Sequence, residues 1–371
     1  MEVKKVIYAG LFLLPDGDAA AHRVRGIGKI LNTLGYQVVY YGLSNDSTLP
    51  IDDAHSVYIA EPKPQNKREW LHSQINADGL ANLINGTDDL EAVFLYNYQS
   101  IPFGKIKKVC RHKGVKVYAD CTEWHQAPKG SRFRFLKIAD TFKRIHFDDY
   151  HVDGLIVISS YLEKYYSECH KIRIPPIFDY KDTRNEQVML SEIKRFVFTG
   201  TISAQKETVY EIVKASEELR SRGYDFSVDI YGISTEEYIR SCNEKESHNN
   251  ESIIFHGRVS HDECLNAVRN AHFQVFIREA NLVNTAGFPT KFGESFASGT
   301  PVITTPTSDI PLFLKDGYNG FVVQDSLSDV MEKAIKMSDE EYSKMRKMVD
   351  TNYCFDYRSY VDGFKEFLVK Q

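Results

Sequence analysis

Lys291 and Glu294 stand three residues apart in "GFPTKFGES", directly after Thr290 and a Gly-Phe-Pro turn. At that spacing an ammonium and a carboxylate share one face of a helix. A helix N-terminus also presents free backbone N–H groups, so the group can hold an anion and bond a neighbouring pair of hydroxyls. A second cluster, Asp120, Glu123 and His125, follows the apolar run "VKVYAD" in "CTEWHQ". Titratable groups gathered at a strand end suit acid–base chemistry or hydroxyl binding. The plainer alternative makes Asp120 a helix cap and His125 a surface residue.

Further candidates sit at other strand ends. "FTGTISAQKE" places Thr201, Ser203 and Lys206 where a Lys and loop amides can reach a phosphate. In "FHGRVSHDE" a Gly-Arg turn presents Arg258, and in "LPDGDAAAHR" Gly17 lets backbone approach a ligand before a small-residue helix start. Asp16 and Asp18 imitate a metal-binding pair, but Asp beside Gly and Asp at a helix N-cap are common for turn reasons alone. No metal is expected.

The elements that must position these groups form two series. "VKKVIYAG", "YQVVYYG", "HSVYIAE", "AVFLYN", "VKVYAD" and "GLIVIS" alternate with helical patterns, then "RFVFTGT", "FSVDIYG", "IIFHGR", "FQVFIR", "PVITT" and "GFVV" repeat the rhythm. Helix-covered parallel sheets follow, with ligands at the carboxyl ends of their strands. The expected fold class is α/β, two doubly wound Rossmann-like domains facing across a cleft. "RIPPIFDYKDTRNEQ" has linker composition. The expected division is therefore 1–173, a linker over 174–187, 188–354, and a terminal amphipathic helix over 355–371 packing back on the first domain.

Composition bounds the rest. The chain has 371 residues, 42% hydrophobic, and a net charge of −5, which gives no footprint for nucleic acid. Six scattered cysteines without a CxxC pair fit a reducing, cytoplasmic compartment. The short apolar run near the start reads as a strand, because Asp16 and Asp18 interrupt any secretion signal. Charge is uneven: residues 101–147 hold twelve Lys and Arg against three Asp and Glu. Within them, 132–147 sets Phe135, Ile138, Phe142 and Ile145 at helical spacing beside Arg134, Lys137, Lys143 and Arg144. Two readings stand: a core-facing helix with a solvated basic face, or a helix lying on an anionic membrane surface.

"GFPTKFGESFASGTPVITT" followed by "SDIPLFLKDGYNGFVV" resembles the donor-binding region of retaining glycosyltransferases of the GT-B fold, especially family 4. "DGDAAAHRVRGIGKILNTLGYQVVYYG" is similar to the family's N-terminal loop and helix, and "FVFTGTISAQKE" to its diphosphate loop. The resemblance implies that Glu294 binds the nucleotide ribose and that Lys291, Thr290 and the helix N-terminus neutralise a diphosphate. It departs at Ala286, where the family has a second Glu, and at Thr201, where it has an Arg. Sugar contacts are then expected from the N–H groups of Gly287 and Phe288, or from Arg278, Glu279 or Asn284. Positive charge falls to Lys206, Lys291 and Arg278.

The implied function is a metal-independent, retaining hexosyltransferase without a bound cofactor. It would take a nucleotide-sugar, a UDP-sugar ahead of a GDP-sugar, to a glycan or lipid-linked glycan in surface polysaccharide or glycoconjugate biosynthesis. The first domain would hold the acceptor, with the donor sugar facing Gly17 and the Asp120, Glu123 and His125 cluster. Ala286 and Thr201 keep open a catalytically silent binding partner. A metal-dependent transferase of the other common fold rests on Asp16 and Asp18 and sits badly with two serial domains.

Overall fold

The computed structural model describes residues 3–14, 17–44, 55–124, 134–183, 193–200, 209–242 and 252–369. Two units emerge: Met1–Ile177 with Tyr357–Gln371, and Phe178–Asp356.

The first unit carries seven strands: β1 (Lys5–Leu13), β2 (Gln37–Ser44), β3 (Ser56–Pro62), β4 (Leu90–Tyr96), β5 (Lys116–Cys121), β6 (Gly154–Val157) and β7 (Lys171–Arg173). They pair in the order β3-β2-β1-β4-β5-β6-β7, every ladder parallel. Six of these strands were expected from their apolar runs, and β7 in "KIRIPP" is the addition. Its three residues are half-buried at the sheet edge, too short and too polar to stand out as a hydrophobic run. Strands buried on both faces need cover on both. Part of that cover is the helix Ala19–Thr33, which packs Ala21, Val24, Ile27, Ile30 and Leu31 into the core. The terminal helix Val361–Val369 adds Phe364 and Phe367 to the same core. There Phe94 and Tyr118 stack at 4.9 Å, and Phe367 lies 5.4 Å from Tyr118.

The second unit carries β8 (Lys194–Thr199), β9 (Phe226–Tyr231), β10 (Ile253–Gly257), β11 (Phe273–Phe276), β12 (Val302–Thr304) and β13 (Gly320–Val322). Their order is β10-β9-β8-β11-β12-β13, again parallel throughout. The chain winds outward from β8 in one direction, then starts again at β11 in the other. In each sheet the winding therefore reverses once, between β1 and β4 and between β8 and β11. Those reversals open crevices at the carboxyl ends of the strands, where ligands of such sheets bind.

Candidate functional site

In the second unit the apolar residues of the donor-loop segment decide where its polar ones point. Phe288, Phe292 and Phe296 recur every fourth residue and stack into the core, with Phe292 and Phe296 rings 4.5 Å apart and Phe355 at 5.7–5.9 Å from all three. The helix Thr290–Ala297 is thereby fixed in rotation, and Thr290, Lys291 and Glu294 remain half-buried off that stripe. Pro289 occupies the N-cap, and its side chain makes no capping bond.

Lys291 reaches the winding reversal itself. Its Nζ lies 4.4 Å from the Phe198 ring centre and 5.6 Å from that of Phe276, the residues ending the apolar runs of β8 and β11. Gly200, just beyond β8, has φ of 138°, and a Cβ there would stand 2.8 Å from the Lys291 Nζ. The positive φ favours glycine there. Glu294 lies one turn further along, its carboxyl raised above the usual range by burial and opposed by the charges of His261 and Lys291. A cation, a carboxylate and an uncapped helix start thus meet at one crevice.

The loops around this crevice are braced. Arg278 donates its backbone N–H to the Thr305 hydroxyl at 2.9 Å, and that hydroxyl donates to the Arg278 carbonyl at 2.7 Å, tying the ends of β11 and β12. The Arg278 guanidinium donates to Asn284 Oδ1 at 2.7 Å, and Asn284 donates to the Glu279 carbonyl at 2.9 Å. Arg278 and Asn284 are 5% and 0% exposed. Each was offered as an alternative sugar contact, and in this structure each also braces the loop. Of the two backbone N–H groups offered as alternatives, that of Gly287 donates to the Val283 carbonyl at 3.1 Å, while the side chain of Phe288, the other residue, packs its ring in the core. Glu279 is exposed, and Ala286 is fully buried. Arg258 is exposed after the edge strand β10, 3.7 Å from Glu237.

In the first unit Asp120 changes its expected part. It ends β5 at 0% exposure and accepts from Tyr8 at 2.7 Å and from Arg23 at 2.8–3.1 Å through both oxygens. Arg23 also donates to the carbonyls of Ile174 and Pro175 at 3.0 and 3.3 Å. Held by a buried cation and a hydroxyl, the carboxylate clamps the helix Ala19–Thr33 to the sheet. Burial, reinforced by the Asp120 charge, pushes the Tyr8 hydroxyl well up. Glu123 is half-buried beyond β5. Gly17 is exposed and donates to the Leu13 carbonyl at 2.8 Å, and Asp18 caps the following helix by accepting from Ala21 at 2.8 Å. His125, Thr201, Ser203, Lys206 and Asp16 lie outside the described residues.

The basic helix is corrected in part. Phe135, Ile138 and Phe142 are 80%, 47% and 57% exposed, so they do not face a core, whereas Ile145 is buried. The helix Arg134–Lys143 continues as a π-helical turn, Arg144–Asp148, which rotates the face by an extra residue and turns Ile145 and Arg144 inward.

Arg23, Gly200 and His261 were missed as partners in the sequence. Gly200 had a local signal, a glycine ending a strand, while Arg23 and His261 act across long separations.

Parallel seven- and six-stranded sheets with this crevice define a GT-B glycosyltransferase fold. Residues 193–340 match the family model described as Glycosyl transferases group 1. Sucrose-phosphate synthase from Thermosynechococcus elongatus is similar over 99% of this chain and 98% of its own, with TM-score 0.72 and 13% identity. Anabaena HepE in complex with UDP and glucose gives 0.67 and 11% over 99% and 100%. The E. coli trehalose-6-phosphate enzyme bound with UDP-2-fluoro glucose gives 0.67 and 9% over 99% of each chain. No curated protein sequence matches significantly.

Proposed function

We propose that the protein is a glycosyltransferase that takes a sugar from a nucleotide-sugar, with a UDP-sugar ahead of a GDP-sugar, and passes it with retention to a glycan or lipid-linked glycan. The observation that carries this is the Lys291 ammonium beside Gly200 at the β8/β11 reversal, with Glu294 one turn on. Lys291 and the first-turn amides would meet the charge that grows on the departing diphosphate, and Glu294 would accept from the ribose hydroxyls. Since a lysine and amides supply that neutralisation, binding should survive excess EDTA. HepE and the trehalose-6-phosphate enzyme, crystallised with UDP-sugars, support a UDP donor.

The acceptor belongs with the first unit in this reading. No described helix is long and apolar enough to cross a membrane. The exposed Phe135, Ile138 and Phe142, beside Lys137, suit a helix lying on an anionic bilayer that carries lipid-linked sugars. A catalytically silent binding partner is the second reading, favoured by Ala286, too buried and too small to touch a sugar.

Screening UDP-, GDP- and ADP-sugars for hydrolysis and thermal stabilisation separates these. UDP-sugar stabilisation with slow hydrolysis is expected. Stabilisation without hydrolysis or transfer to any glycan would favour the silent partner, and no stabilisation by any nucleotide would sink both.

A further inference from the structure

The first unit holds a cleft of about 560 Å³, in the ~300–1,000 Å³ range of small-molecule sites. One side is apolar and comes from separate elements: Leu11 of β1, Trp70, Leu71 and Ile75 of the helix Lys67–Ile75, Ile101 near the start of the helix Ser100–Lys113, and Leu136. The helix Lys67–Ile75 buries none of its residues, and Leu71, Ile75, Ile101 and Leu136 are 39%, 41%, 59% and 56% exposed. A short helix gains most of its stability by covering an apolar face, so these side chains lack the cover that would reward them.

The polar wall of the cleft is built, not incidental. Arg144 is 3% exposed, lines the cleft, and donates from Nη1 to Asn97 Oδ1 at 3.3 Å. Its Nη2 is buried and, among the described residues, has no hydrogen-bond partner. Asn97 is held in the left-handed region at φ of 40°, with Oδ1 also accepting from the Thr122 N–H at 3.1 Å. Asp140 and Asp149 lie near enough to sense the Arg144 charge, Asp140 accepting from the Ser100 N–H at 2.8 Å. Lys143 donates to Ser100 at 2.8 Å and pairs with Asp148 at 3.1 Å. The rim cation is Lys137, 5.2 Å over the Trp70 ring.

An apolar trough bordered by a guanidinium with one unpartnered nitrogen and by a rim ammonium fits one kind of occupant. We infer that this cleft binds a single phosphate-bearing amphiphile, its hydrocarbon chain along Leu71, Ile75, Ile101 and Leu136 and its head accepting from Arg144 Nη2 and Lys137. The inference rests on the proposed reaction only for its meaning: it gives the acceptor a chemical class. Binding itself is testable without turnover.

Of two tryptophans, Trp124 packs on Tyr161 and Tyr165 and Trp70 lines the cleft, so a Trp124→Phe variant makes Trp70 the sole reporter. Titration with monomeric dodecyl phosphate should give a saturable blue shift of Trp70 emission. Dodecyl maltoside should bind about tenfold more weakly, having lost the charge-assisted head contacts, and inorganic phosphate alone should give no shift. Ile101→Asp and Leu136→Asp, both at exposed positions, should weaken dodecyl phosphate at least about tenfold while UDP affinity, followed by calorimetry, stays unchanged. Arg144→Gln should erase the preference for the phosphate head. No saturable shift, an undiminished response in both Asp variants, or a response only to anionic vesicles would overturn the cleft. Those results with UDP binding intact would leave the proposed transferase standing, whereas amphiphile binding without any nucleotide binding would do the reverse.

Discussion

Glu294 is the residue on which the nucleotide reading turns. Burial holds its carboxyl above the usual range, and His261 and Lys291 restrain that rise, so this proposed acceptor of ribose hydrogen bonds is poised to lose charge earlier than a solvated Glu. Glu294→Ala should weaken UDP by about ten- to a hundredfold, the size of a lost charge-assisted contact. Acidification should weaken UDP binding at higher pH than a solvated carboxylate would, and calorimetry across pH would detect an ordinary profile if the residue is elsewhere in function. Asp120 gives the contrast, a carboxylate that resembled an acid or base and is spent on Arg23 and Tyr8. Arg23→Met leaves that charge buried alone, so it should cost about 3–5 kcal/mol of stability in urea denaturation. Nucleotide affinity of the folded variant should not change.

At the scale of elements, β11 carries a pH dependence. His272, just before that strand, is 2% exposed, and its Nδ1 accepts from the Arg195 N–H at 3.1 Å. Burial, with the charges of Lys194 and Arg346, lowers its pKa to about 4. The unfolded chain takes up this proton near pH 6.5 and the folded one only near 4, so the associated stability is full above 6.5 and falls as pH drops through that window. The loss should approach about 3 kcal/mol, and His272→Asn should flatten the urea midpoint between pH 6.5 and 4. A midpoint equally steep in the variant would assign the acid response to other groups. The strands were legible because buried parallel strands read as apolar runs between turn residues, and twelve such runs became strands. The face of the helix Thr290–Ala297 was legible too, since Phe288, Phe292 and Phe296 mark its core side. The partner of Asp120 was not: Arg23 lies 97 residues away, and nothing in local spacing announces such a pair. Nor was the fate of Arg144 and Ile145, which depends on one extra residue in a helical turn.

For the whole molecule, the two winding reversals organise the proposed division of labour, nucleotide at the second sheet and acceptor with the first. Replacing Phe135, Ile138 and Phe142 with Ser should reduce binding to anionic vesicles at low salt while leaving UDP affinity intact, because these apolar side chains are exposed. Wild-type protein that ignores such vesicles would remove the bilayer from the account. The β8/β11 reversal is proposed to hold a nucleoside diphosphate through Lys291 and Glu294, and calorimetric titration of UDP in excess EDTA is the deciding measurement. The wild type should bind saturably, and Lys291→Gln and Glu294→Ala variants of unchanged fold should bind about tenfold or more weakly. Equal UDP affinity in wild type and both variants, or none in the wild type, would contradict it.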